Sequence, residues 1–270
     1  MEPLTYARYL RVGELLRLQR QLTNAHDELQ FITIHQVFEL WFKLLLFELE
    51  SIRDALDRNQ IADAIHWLRR THEIIKTLTT TWAVIETMRP IDFLAFRSEL
   101  KPASGFQSAQ FREIEFLSGL KDPRYLNAFA DDPDSLAVLR TRLAQPSLWD
   151  AFVHLLRSRG LPAASDRELL DTLVRIHRRG DLAELDDLVE AMIEYDLQFS
   201  AWRERHVLMT ERMIGGRAGT GEATVARILG GAEGKAASGG EYFSGVHYLK
   251  TTLTKRFFPL LWEARTYVER

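Results

Sequence analysis

An all-α fold is what this sequence predicts. Apolar residues recur at helical spacing in almost every window, and runs with strand-like alternation are scarce. The most continuously apolar stretch, FITIHQVFELWFKLLLF at residues 31–47, reads as a buried helix. Hydrophobic residues make up 46% of the 270, enough for a substantial core, and we expect one helical domain over residues 1–270.

Taken in order, Tyr6, Tyr9 and Leu10 precede a first amphipathic segment containing Leu15, Leu16 and Leu18. Asn24 to Asp27 supplies short polar cap residues for the helix that carries Phe31 and runs to about Arg58. At 100° per residue, Phe31, His35, Phe38 and Phe42 share a narrow stripe, with Gln36, Glu39 and Lys43 on a different face. A second long helix is expected from Ile61 to about Met88, stopped by Pro90, with His66 and His72 among charged residues at its surface. Asp92 can cap a short helix holding Phe93, Phe96 and Arg97, and residues 101–105 make a turn before the helix FQSAQFREIEFLSG.

Residues 122–134, broken by Pro123 and Pro133, read as a connection. Helices follow near Leu136–Ala144, Leu148–Arg157 and Arg167–Arg178, then a long one from about Leu182 to Ile214, ended by Gly215-Gly216. Residues 219–245, rich in Gly and Ala, are expected to be a mobile loop, and a closing helix from about Val246 to Val268 is kinked at Pro259.

Composition removes several function classes. A net charge of −3 gives no basic field for nucleic acid or an anionic membrane. With no cysteine, disulfides, thiolate-ligated haem, iron–sulfur clusters and cysteine nucleophiles are excluded, so any metal must be held by histidine or carboxylate. The start of the chain lacks the basic-then-apolar layout of a signal peptide, and no apolar run is long enough to span a bilayer, so a cytoplasmic protein is expected.

Two helices place a histidine on an apolar stripe: His35 with its phenylalanines, and His206 with Trp202, Met209 and Met213. A buried imidazole needs partners for two nitrogens, which a core hydrogen bond or a ligand can supply. Two such histidines on separate helices suit a planar iron porphyrin, one as proximal ligand and one as distal polar group. A di-iron site fails because no histidine has Glu three residues before it; Asp63-Ala64-Ile65-His66 comes nearest. A zinc-protease motif fails at Lys76, four residues after His72, and Gly219-Thr220-Gly221 lacks the lysine and strand of a phosphate loop. Arg97, bracketed by Phe93, Phe96 and Leu100, is either a solvated surface arginine or a guanidinium that grips a carboxylate beside an aromatic pocket.

The segments FITIHQVFELW, DFLAFRSEL, PASGFQSAQFREIEF, WRERHVLMTERMIG and GTG resemble, in order, those of the tryptophan 2,3-dioxygenases. The resemblance implies a helical bundle enclosing haem b, active as Fe2+, in which L-tryptophan and O2 give N-formylkynurenine. His206 then falls on the axial iron ligand and His35 on the distal histidine, with Trp202 and Ser104 beside the cofactor. Arg97 falls on the substrate-carboxylate clamp, Phe31 and Phe93 on the pocket aromatics, and Thr220 on the contact to the substrate ammonium. Tyr6, Tyr9 and Leu10 match an N-terminal segment, residues 1–20, that completes a neighbouring subunit's pocket in a homotetramer. One departure is the stretch Glu222 to Phe243, which intervenes before Ser244-Gly245-Val246-His247-Tyr248-Leu249 restores the pattern. It leaves two alternatives: a haem monooxygenase converting a modified tryptophan, such as a β-substituted one, to a 2-oxindole, and a non-catalytic haem sensor.

Overall fold

In a computed structural model, residues 3–178, 180–217, 219–229 and 245–268 are described, and among them every regular element is helical. Two helical turns, α1 (Tyr6–Tyr9) and α2 (Val12–Leu15), bury no residue. They lead to α3 (Glu28–Asp57) and α4 (Ile61–Ile85). Asn59, at φ 59°, turns the chain between them. The two helices then run antiparallel, since Phe38 meets Trp82 while Glu48, further along α3, meets Arg70, earlier on α4.

The cap of α3 differs from expectation. Asp27 makes no capping bond; Glu28 reaches back instead, accepting from the Leu22 and Thr23 amides at 2.6 and 2.8 Å and from the Thr23 hydroxyl. His72 is also not at the surface: it is buried, and its Nε2 lies 2.9 Å from the Ala191 carbonyl. Burial lowers its pKa below the ordinary histidine value, against opposition from that hydrogen bond. His66 is exposed as expected.

Pro90 starts a helix as well as ending one. It sits at the first turn of α5 (Pro90–Arg97), where its missing N–H costs nothing. Asp92 lies within that turn and takes a two-pronged contact from Arg89 rather than capping. The turn ending at Ser104 leads through a 3-10 stretch, Gly105–Gln107, closed by a Ser104/Gln107 capping box, into α6 (Ala109–Ser118). The expected connection at 122–134 is more ordered than its prolines suggest: Pro123–Phe129 forms a 3-10 helix that buries Tyr125, Ala128 and Phe129.

Helices α7 (Pro133–Ala144), α8 (Leu148–Ser158) and α9 (Asp166–His177) lead into α10 (Ala183–Ile214), ended by Gly215 at φ 57°. Helix α10 runs parallel to α4, as the pairs His72–Ala191, Trp82–Trp202 and Glu86–Arg205 advance together. Part of the segment expected to be mobile is a helix, α11 (Glu222–Ile228), whose Val225 and Ile228 pack with Tyr125, Phe129 and Tyr248. The rest of that expectation, residues 230–244, lies outside the described residues. The closing helix is two separate ones, α12 (Gly245–Thr251) and α13 (Pro259–Ala264). No described helix is long and apolar enough to cross a membrane.

Asp196 of α10 is why the last segment turns where it does. Fully buried, its Oδ2 accepts from the amides of Phe257 and Phe258 at 3.1 and 3.2 Å and from Trp262 Nε1 at 2.9 Å. Asp196→Ala leaves two buried amides and the half-buried Trp262 indole without an acceptor and is expected to cost about 3 kcal/mol in urea unfolding. Asp196→Asn, which keeps one oxygen, should cost less than half as much; equal losses would show that the acceptor is not what holds the segment.

Candidate functional site

Helices α3, α4, α5, α6, α10 and α12 surround one cavity. The stripe at positions 31, 35, 38 and 42 faces it from α3, and the stripe at 202, 206, 209 and 213 faces it from α10. Helical spacing alone brings each set to one side, so two distant segments supply opposing walls.

The two imidazoles are held differently. His35 Nδ1 donates to the Phe31 carbonyl at 2.7 Å, one turn earlier, which leaves Nε2 as the acceptor nitrogen of the neutral ring. Burial lowers the His35 pKa, opposed by that carbonyl and by the charge of Glu39. His206 lies flat against Trp82, ring centroids 4.6 Å apart and planes within 5°. Burial pushes its pKa down to about 4, with His35 contributing in the same direction, so both rings are neutral at physiological pH. Among the described residues none hydrogen-bonds the His206 ring, and none partners the buried indole nitrogens of Trp82 and Trp202.

Aromatic rings join the walls into one assembly. Phe38 contacts Trp82 and Trp202, and Phe111 of α6 contacts Phe42 and Trp202. At the other end, Phe31 meets Phe93 at 5.8 Å, and the Arg97 guanidinium sits 6.0 Å from the Phe93 ring. The segment Gly219–Gly221 closes one side against Ser104 and Phe106. A Cβ on Gly221 would stand 2.1 Å from Ser104 Oγ and 2.6 Å from its Cβ, so the loop approaches this closely only because residue 221 is glycine.

Phe31, His35, Phe93, Arg97, Ser104, Trp202, His206 and Thr220 all line this one cavity. Tyr6, Tyr9 and Leu10 do not: they are exposed, the tyrosines at 77% and 73%, and lie outside their own chain's cavity. Several lining residues went unrecognised in the sequence. Glu39, assigned above to the polar face, lines the cavity and binds Gln110 Nε2 at 2.8 Å. Trp82 was read only as part of α4, although it shares an apolar face with Leu78 and Ile85. Arg112 and Glu115, at i and i+3 in FREIE, carried a pairing signal that their apolar neighbours hid.

A family model described as tryptophan 2,3-dioxygenase matches residues 1–173. A tryptophan 2,3-dioxygenase of a Nocardioides species is 44% identical over 271 residues, covering 97% of this chain and 94% of the relative. Those of Herpetosiphon aurantiacus and Caulobacter vibrioides are 42% and 38% identical over 279 residues, covering 98% of both chains in each case. Stripe spacing, cavity and near full-length similarity agree, and the chain belongs to the tryptophan 2,3-dioxygenase family.

Proposed function

We propose that this protein is a haem-dependent oxidoreductase that cleaves the indole C2–C3 bond of L-tryptophan with O2 to give N-formylkynurenine. The observation that carries the reading is the convergence of His35, Arg97, Thr220 and His206 on a single cavity between α3, α5 and α10. The relatives at 38–44% identity are named tryptophan 2,3-dioxygenase and lend no support to the monooxygenase or the sensor.

The residues suit haem b. His206 is neutral, has no hydrogen-bond partner among the described residues and stands in an aromatic wall, the form in which imidazole binds iron. His206 would hold the iron, with Trp202 and Ser104 beside the macrocycle. Bound haem in its Fe2+ state supplies the chemistry that activates dioxygen; the protein positions the substrate.

His35, held by the Phe31 carbonyl, would accept the indole N–H at Nε2 and so fix the rotation of the ring. Phe31 and Phe93 provide apolar faces for the indole. The Arg97 fork would take the substrate carboxylate and the Thr220 hydroxyl the ammonium, fixing the amino-acid end. Gly221, wedged against Ser104, would keep water from the same side. Tyr6, Tyr9 and Leu10, exposed on the isolated chain, belong in this reading to the neighbouring pocket of a cytoplasmic homotetramer.

Labelled dioxygen tests the reaction. Mass analysis of the product should find both labelled atoms in N-formylkynurenine; a single labelled oxygen in an oxindole would establish the monooxygenase instead. For the clamp, Arg97→Lys keeps the charge and loses the fork, and kcat/KM for tryptophan should fall roughly 100-fold, about 2.7 kcal/mol of transition-state stabilisation. Tryptamine, lacking the carboxylate, should be a poor substrate of the wild type, and equal turnover of both amines would remove Arg97 from the site.

A further inference from the structure

Residues 3–25 are hydrogen-bonded to the rest of the described chain at two places, both on α3. At its first turn the Glu28 carboxylate, 1% exposed, accepts from the Leu22 amide at 2.6 Å and from the Thr23 amide and hydroxyl at 2.8 and 2.6 Å. The Thr23 hydroxyl in turn accepts from the Ala25 amide at 3.1 Å, which closes the turn between segment and helix. Burial alone would raise the Glu28 pKa, but these three donors outweigh it and hold the carboxyl below its ordinary value, so the group is charged at neutral pH. The second place is Gln36, whose Nε2 donates to the Leu18 carbonyl at 3.2 Å and whose Oε1 accepts from Gln19 Nε2. Residues 28 and 36 stand about 12 Å apart along the helix, at about 1.5 Å of rise per residue.

Ahead of Leu18 the segment makes no such tie. Among the described residues, every hydrogen bond of residues 3–17 runs to another residue of 3–20. Helices α1 and α2 bury no residue, and Leu4, Tyr6, Tyr9, Leu10, Leu16 and Leu18 are each at least 45% exposed. Apolar side chains in such a row gain stability only when another surface covers them, and where they land depends on the direction in which the segment leaves α3. One attachment leaves a pivot; two fix a direction. Phe31 and His35 lie on the same stretch of α3, between the two attachments, whereas Glu28 and Gln36 do not line the cavity. The root of the segment and the cavity wall are thereby one rigid element.

We propose that Glu28 is a positioning residue that acts on the neighbouring subunit: by holding Leu22 and Thr23 on α3, it aims residues 3–21 so that Tyr6, Tyr9 and Leu10 reach that subunit's pocket. Gln36 is the second hold. Glu28 touches neither substrate nor cofactor, and its effect is read in a cavity other than its own. The inference rests on the homotetramer reading above and adds to it the side chain that sets where the segment points.

Glu28→Gln tests it, since one carboxylate oxygen becomes an NH2 that faces amide donors instead of accepting from them. In the haem-loaded full-length enzyme, KM for tryptophan should rise roughly 10-fold with kcat within about 2-fold, the pattern of a displaced pocket wall. Thr23→Val removes only the hydroxyl; it should raise KM in the same way by roughly 3-fold, and it serves if Glu28→Gln fails to fold. Each variant is then co-expressed with an excess of His206→Ala subunits, which keep Glu28, Thr23 and their own N-terminal segments and are checked to be inactive alone. The mixed oligomers should return KM to the wild-type value, because the active cavities now receive segments aimed by an intact Glu28. A KM that stays raised in them would overturn the inference, placing the effect inside the subunit through Phe31. So would an unchanged KM in a folded Glu28→Gln or, failing that, in Thr23→Val. The triple variant Tyr6→Ala/Tyr9→Ala/Leu10→Ala, at positions exposed on their own chain, separates the two readings. An unchanged KM there removes the neighbouring-pocket reading itself, whereas a raised KM there with none in the Glu28 and Thr23 variants removes only the part given to Glu28.

Discussion

Removing two imidazoles from water, one on α3 and one on α10, is the constraint on which the rest of this molecule depends. Desolvation disfavours the charged form of each ring, and His35 further lowers the tendency of His206 to protonate. Two neutral rings result, with different tasks open to them. His35 has Nδ1 committed to the Phe31 carbonyl and offers a lone pair at Nε2. His206 is held through its ring faces, by Trp82 at 4.6 Å and Trp202 at 5.5 Å, and offers its nitrogens to a ligand.

Such a cavity must be kept open against collapse of its own apolar walls, and the neighbouring helices do this. Helix α4 runs antiparallel to α3 and parallel to α10, and its Trp82 touches Phe38, Trp202 and His206 together. His72, further back on the same helix, joins it to α10 through the Ala191 carbonyl. Helix α6 closes the side with Phe111, and Asp196 secures the last segment beneath it. The glycine at 221 lets the loop that carries Thr220 lie directly on Ser104. Helix α11, following at once, packs into the second apolar cluster with Val225 and Ile228, so the loop has an anchored element on its far side.

Much of this was legible in the sequence because long helices advertise their faces. The stripes at 31/35/38/42 and 202/206/209/213 needed only a 100° wheel, and both proved to be cavity walls. What was missed depended on contacts between distant segments. His72 sits among charged neighbours in sequence, and its partner is a carbonyl 119 residues away. Glu39 looks solvated on its helix until Gln110 meets it from α6. Tyr125 is hidden in a proline-broken connection and is buried by residues from α11 and α12. The break between α12 and α13 is likewise set from outside, by Asp196 capturing the Phe257 and Phe258 amides. Tyr6, Tyr9 and Leu10 were singled out by resemblance alone, and they stand exposed on the isolated chain.

In the proposed function the two cavity histidines are unequal: His206 would bind iron, and His35, tied through Nδ1, would be reserved for the indole. Electron paramagnetic resonance of the ferric haem-loaded protein in the presence of tryptophan tests this most directly. A high-spin signal, from iron with a single histidine, is the predicted result. A low-spin bis-imidazole signal that persists with substrate bound would contradict it, because His35 would then be a second ligand and unavailable to accept the indole N–H.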